Sequence, residues 1–271
     1  MTAILHERGH PWHVPGGRPF GWCASLSAMR AGTIDLPTPD GAMPAYEAIP
    51  AEHARGAVIV AQEAYGVNDY IQRVVRDLAK EGYHAVAPHL FHRAGGGVVP
   101  YGDVAKAIEM IGTLTDETLL VDVDATLDHL RAAGFRDRQI GIVGFCMGGR
   151  VTFLTVARRP IGAGVGFYGG GIVTPFMPQL ASLVDESAGL RAPWLGLFGD
   201  LDPSIPVSDV ERLREALAAA RVETEIVRYP NAGHAFHSAP RDSFEPASAA
   251  DAWRRTLDWF ESHITGSSGR N

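Results

Sequence analysis

The sequence predicts an α/β fold with a mostly parallel central sheet flanked by helices on both faces. Two observations carry that expectation. Short, β-branched apolar segments alternate with longer segments of helical period from Gly56 onward, the pattern of repeated β-α-β units. No internal repeat and no long linker divides the 271 residues, so residues 31–265 are expected to form one domain, with 1–30 as an N-terminal extension and 266–271 as a flexible tail.

In chain order, "TIDLPTPDGAMPAYEAIP" reads as two strands joined by the Asp40-Gly41 turn, a good hairpin signal. "GAVIV" is a short buried strand, and "YIQRVVRDLAKEG" an amphipathic helix closed by Gly82. "HAVAP" is the next strand, and it leads into the loop "HLFHRAGGGVVPYG". One or two helices fill the stretch from Val104 to Ala133 and end at Gly134. Strand "QIGIVGF", helix "MGGRVTFLTVARR" and strand "GAGVGFYG" follow. Strand "PWLGLFG", helix "VSDVERLREALAAA", strand "VETEIVRYP" and helix "AADAWRRTLDWFESHI" complete the pattern.

Bulk properties narrow the function. A hydrophobic content of 46% and a charged content of 20% belong to an ordinary globular protein. The net charge of −7, with no basic stripe, argues against nucleic acid as a partner. No run is apolar for about 18 residues, so no membrane span is expected. The start "MTAILHERGHPWHVPGG" lacks the apolar centre of a secretory signal. Cys23 and Cys146 lie in unlike contexts and do not suggest a disulfide framework; a reducing cytoplasm is the expected compartment. Cys23 with His6, His10 and His13 fits no strong metal-ligand spacing, and the first thirty residues read as a surface-lying extension.

The chemistry is concentrated in "IGIVGFCMGGRVTF". Gly144, Cys146 and Gly148 form Gly-x-Cys-x-Gly between a strand and a helix. Glycine on each side permits the sharp, strained turn that lifts a nucleophile above the carboxyl end of a sheet. The helix N-terminus favours a thiolate there. Free cysteine is often only a buried filler, but this context points to a nucleophile. A base and an orienting acid should follow in that order. His234 in "RYPNAGHAFH" sits just after the last strand, with His237 as the alternative; "LFGDLDPSIP" offers Asp200 and Asp202, of which Asp202 lies deeper in the loop. A dinucleotide site is a poor reading, because glycines 141, 144, 148 and 149 do not fit G-x-G-x-x-G.

"QEAYGVN", "PHLFHR", "GFCMGG", "GDLDPSIP" and "AGHAF", in this order, resemble the dienelactone hydrolase family, a cysteine-nucleophile branch of the α/β-hydrolase fold. The resemblance runs from about residue 33 to 263. It implies Cys146 as nucleophile, His234 as base and Asp202 as the acid orienting it. It further implies that Glu63 takes the thiol proton when substrate binds, and that Arg93 draws Glu63 and a substrate carboxylate together. Backbone N–H groups of Met147 and Ala64 would form the oxyanion hole. Where the family's founding members carry a second arginine, four residues after the histidine, this sequence has Ser238; the nearest arginine is Arg241. Tyr101, in the glycine-rich loop, is expected to line the pocket. The implied activity is hydrolysis of a small carboxylic ester, enol-lactone or related thioester, with no cofactor or metal, by a monomer or small homo-oligomer. The rival of a different class is a non-catalytic binding member of the fold, in which Cys146 only packs.

Overall fold

The computed structural model describes residues 29–265. Cys23, the N-terminal histidines and the tail from 266 lie outside the described residues, as does almost all of the expected extension. Eight strands form one sheet: β1 (Arg30–Thr38), β2 (Gly41–Ile49), β3 (Gly56–Ala61), β4 (Tyr83–Pro88), β5 (Ile140–Phe145), β6 (Ala163–Phe167), β7 (Trp194–Gly199) and β8 (Thr224–Tyr229). Their spatial order is β1-β2-β4-β3-β5-β6-β7-β8. β2 runs antiparallel to β1 and β4, and every pairing from β4 to β8 is parallel. Six helices connect or cover them: α1 (Asp69–Lys80), α2 (Val104–Ile111), α3 (Asp116–Ala132), α4 (Met147–Arg158), α5 (Val207–Leu217) and α6 (Pro246–His263).

The alternation read from sequence is therefore the architecture. β3, β4, β5, β6 and β7 are buried along their whole lengths, as strands covered on both faces must be. Glycines mark which helix covers which face. A Cβ on Gly141 would strike Phe260 of α6, whereas one on Gly164 would strike Val156 of α4. The side chains of β5 alternate between faces, and one on Gly144 would meet α4 residues Gly148 and Thr152. The two helices thus lie on opposite faces of the sheet.

The hairpin turn differs slightly from expectation. Thr38 pairs with Gly41, so Pro39 and Asp40 form the turn and Gly41 opens β2 at φ 114°. The stretch from Val104 to Ala133 is two helices, because Thr115 starts a new one: its hydroxyl and that of Thr118 cap each other's backbone N–H groups. α3 anchors its surroundings electrostatically. Its Asp116 holds Arg150 of α4 and its Asp124 holds Arg159, just beyond α4. Among the described residues no helix is long and apolar enough to cross a membrane.

Candidate active site

Cys146 stands between β5 and α4 with φ 55° and ψ −117°. This is a backbone conformation that a non-glycine residue adopts only when its surroundings impose it. The neighbours impose it here: its N–H donates to Phe167 O at 3.0 Å, and its carbonyl accepts from Gly149 at 2.9 Å. A Cβ on Gly144 would fall inside the Gly148 carbonyl, and one on Gly148 inside the Ala61 carbonyl at the end of β3. Both glycines are therefore needed for close backbone approach. The three non-glycine residues with positive φ among the described residues are Cys146, Tyr168 and Ala235. Each belongs to this region: Tyr168 packs on His234, and Ala235 follows it.

His234 is held from behind. Its Nδ1 lies 2.6 Å from Asp202 Oδ2, and the other Asp202 oxygen accepts from the Ser204 N–H at 2.8 Å and hydroxyl at 2.6 Å. Asp202 is only 4% exposed. Burial pushes its carboxyl up, but His234 and Ser204 outweigh that and hold it below the usual range. Burial likewise pushes the His234 imidazole down, yet the facing Cys146 and the Asp202 carboxylate raise it well above its ordinary value. With Nδ1 engaged, Nε2 is the nitrogen left for the cavity of about 320 Å³ that Cys146, Met147, His234, Ser204 and Phe176 line. Arg150 braces that wall: buried in α4, it bonds Asp116 at 2.6 Å and the carbonyls of Gly171 and Ala181.

Glu63 follows β3 and is 1% exposed. Burial pushes its pKa up to about 7, against the lowering effects of the Tyr101 hydroxyl, Arg241 and His234. Tyr101 donates to Glu63 Oε2 at 3.1 Å and lies 3.4 Å from Ser238 Oγ. Arg241 stacks over Tyr101 at 4.8 Å and Tyr65 at 5.3 Å, and forms no ion pair among the described residues. The N–H groups of Met147 and Ala64 donate to no acceptor among the described residues, and the elbow packs directly on the chain leading to Ala64.

Two expectations need correction. Arg93 does not reach toward Glu63: it forks onto the fully buried Asp122 at 2.8 and 2.9 Å and onto Asp40 at 2.6 Å. Asp122 is an otherwise unaffordable buried charge, so it captures the guanidinium. Tyr101 is not among the residues lining the Cys146 cavity, and neither are Glu63, Ala64 or Arg241; its hydroxyl is committed to Glu63. Of the alternatives left open, Asp200 is locked to Arg228 at 2.7 and 2.8 Å, and His237 bonds Tyr70 at 2.7 Å. Sequence reasoning missed Ser204, Tyr168 and Arg150. Only Ser204, next to Pro203 in the acid's loop, carried any local signal.

Residues 43–264 match the model of the dienelactone hydrolase family. The chain belongs to the dienelactone hydrolase family. It is 40% identical over 243 residues to a Methylorubrum extorquens protein named "Putative carboxymethylenebutenolidase", covering 88% of this chain and 82% of that one. It is 33% identical over 240 residues to a Bradyrhizobium protein named "Probable 2-oxo-3-(5-oxofuran-2-ylidene)propanoate lactonase", covering 86% and 94%. A crystal structure titled as a putative dienelactone hydrolase from Klebsiella pneumoniae superposes with a TM-score of 0.80 at 38% identity, covering 87% of this chain and all of the other. The fold is thus that of the α/β-hydrolases, and the family's chemistry is hydrolysis of an ester or lactone.

Proposed function

We propose that this dienelactone hydrolase family member cleaves a small carboxylic ester or enol-lactone through a covalent acyl-cysteine on Cys146. The sulfur attacks the carbonyl carbon, and the N–H groups of Met147 and Ala64 receive the oxyanion. Glu63, poised near neutrality by burial, accepts the thiol proton when substrate enters. As the tetrahedral intermediate collapses, the acyl C–O bond breaks and the leaving oxygen takes the proton held by Glu63. His234 then removes a proton from water as it attacks the acyl carbon, and Asp202 steadies the resulting imidazolium. That proton passes to the Cys146 sulfur as the C–S bond breaks and the acid departs. Arg241, beside Glu63 and without an ion pair among the described residues, meets an acidic group on the substrate. The carboxylate in the name of the Bradyrhizobium lactonase is one such group.

The observation that supports this most is the strained Cys146 sharing one cavity with His234, whose far nitrogen is held by the buried Asp202. A packing cysteine in a binding protein has no use for backbone strain or for a hydrogen-bonded imidazole beside it. The test is turnover of p-nitrophenyl esters and a dienelactone, with intact-protein mass spectrometry after rapid quench. The expected result is an acyl adduct on Cys146 that accumulates in His234→Ala and is absent in Cys146→Ala. Undiminished hydrolysis by Cys146→Ala overturns the acyl-cysteine route, and absence of any hydrolysis favours the binding reading.

A further inference from the structure

We propose that Glu47, His84 and His129 form a binding site for a divalent transition-metal ion, with Zn2+ the best match, remote from the cavity of Cys146. The three come from β2, β4 and α3. The Nε2 atoms of His84 and His129 converge on a single oxygen, Glu47 Oε1, at 2.8 and 2.6 Å. One ligand atom from each residue lies within 4.8 Å of the others. The two rings stand at 86° with centroids 6.1 Å apart, and the edge of Phe135 at 5.7 Å holds the His84 ring. None of the three residues lines the Cys146 cavity.

Two imidazoles and a carboxylate are a borderline donor set that suits Zn2+, whereas Ca2+ and Mg2+ prefer oxygen ligands throughout. Zn–N and Zn–O distances near 2.1 Å put tetrahedral ligand atoms about 3.4 Å apart. Both N···O separations therefore need to open by less than about 1 Å, within reach of small side-chain rotations. On binding, each Nε2 gives up any proton it carries toward Glu47 and keeps the other at Nδ1, so acid weakens the site. His84 and Glu47 are mostly buried at 6% and 14% side-chain exposure, while His129, at 30%, opens one side to solvent. That opening admits the ion and leaves room for a water as fourth ligand. Bound there, the ion would tie the antiparallel strand β2 to both β4 and α3. No sequence motif announces the site, because His84 and His129 stand 37 and 82 residues from Glu47.

The test uses the full chain in a Cys146→Ser background, which removes the thiol from the cavity that His234 lines. Equilibrium dialysis against Zn2+ should retain an ion that His129→Ala or His129→Gln loses. Excess Zn2+ should raise Tm by about 5 °C when the ion stands about 100-fold above its Kd, and this shift too should vanish in both His129 variants. Co2+ in place of Zn2+ should give tetrahedral visible absorption that depends on His129. Zn2+ binding and Tm shifts equal with and without His129 overturn the proposal, as does the absence of both in the parent.

Discussion

On one side of the loop after β8, His234 faces Cys146 and the buried Asp202. On the other, three residues on, His237 faces Tyr70, Phe145 and Trp253. Burial pushes both imidazoles toward the neutral form. His237 yields to it, falling to about 4; the nearby Arg73 cation pushes the same way and only Asp77 opposes. His234 moves the other way, because two potential anions sit against it. Aromatic packing alone makes a structural histidine; a charged partner on each nitrogen makes one that exchanges protons. Both regions border cavities of similar size, about 290 and 320 Å³, so concavity does not separate them. Charge partnership does.

The largest effect should come from breaking the partnered side. His234→Ala is expected to lower kcat by about 10³-fold or more, whereas His237→Phe should leave kcat within about tenfold. The second change removes one hydrogen bond from Tyr70 and so costs stability of about 1–2 kcal/mol. Steady-state kinetics and urea unfolding on both variants measure the difference. Comparable losses of kcat would mean that the aromatic side also serves the reaction.

The next effect tests the same rule on a cation. Arg93→Leu leaves Asp122 fully buried with only His92, at 3.1 Å, as partner. A loss of about 3 kcal/mol in unfolding free energy is expected, with KM nearly unchanged. A large rise in KM with intact stability would restore Arg93 to the substrate site.

Arg93 also shows what the sequence could not tell. The order of strands and helices was legible because the central strands are short apolar runs, as "QIGIVGF" is. The elbow was legible because Gly144 and Gly148 are required by contacts within a few residues or with the adjacent strand. Arg93 depends on Asp122, on a helix 29 residues away that packs beside it. Nothing local distinguishes an arginine that meets a buried aspartate from one that meets a substrate. Depth in the loop favours Asp202 over Asp200, but what occupies Asp200 is again distant in sequence: Arg228 of β8 takes it. Partnership across the fold decided every site residue whose placement departed from expectation.

Glu63 sharpens the comparison, since it is a buried acid whose partners only partly offset burial. Its pKa of about 7 stands above the ordinary 4.5, so the folded state binds more protons than the unfolded chain between those values. Its contribution to stability is therefore fully present below about pH 4.5 and is lost as pH rises through about 7. The loss amounts to about 3 kcal/mol. Glu63→Gln should remove this part of the decline and be more stable than the parent at pH 8. Thermal unfolding from pH 5 to 8 measures it, and parallel pH profiles for the two proteins would mean that Glu63 titrates in its ordinary range.

The smallest effect concerns Arg241, whose guanidinium rests on the rings of Tyr65 and Tyr101 beside Glu63. Stacking orients it without neutralising it, which is the state a carboxylate-binding arginine needs before substrate arrives. Arg241→Leu should raise KM about tenfold for an ester bearing a free carboxylate, and leave a neutral p-nitrophenyl ester nearly unaffected. A tenfold change corresponds to about 1.4 kcal/mol, a reasonable strength for a charge pair partly open to water. Equal changes for both substrates would assign Arg241 to holding Tyr101 against Glu63 instead. In that case the pH dependence of kcat should move with the variant, because removing the cation removes one of the influences that hold the Glu63 carboxyl down.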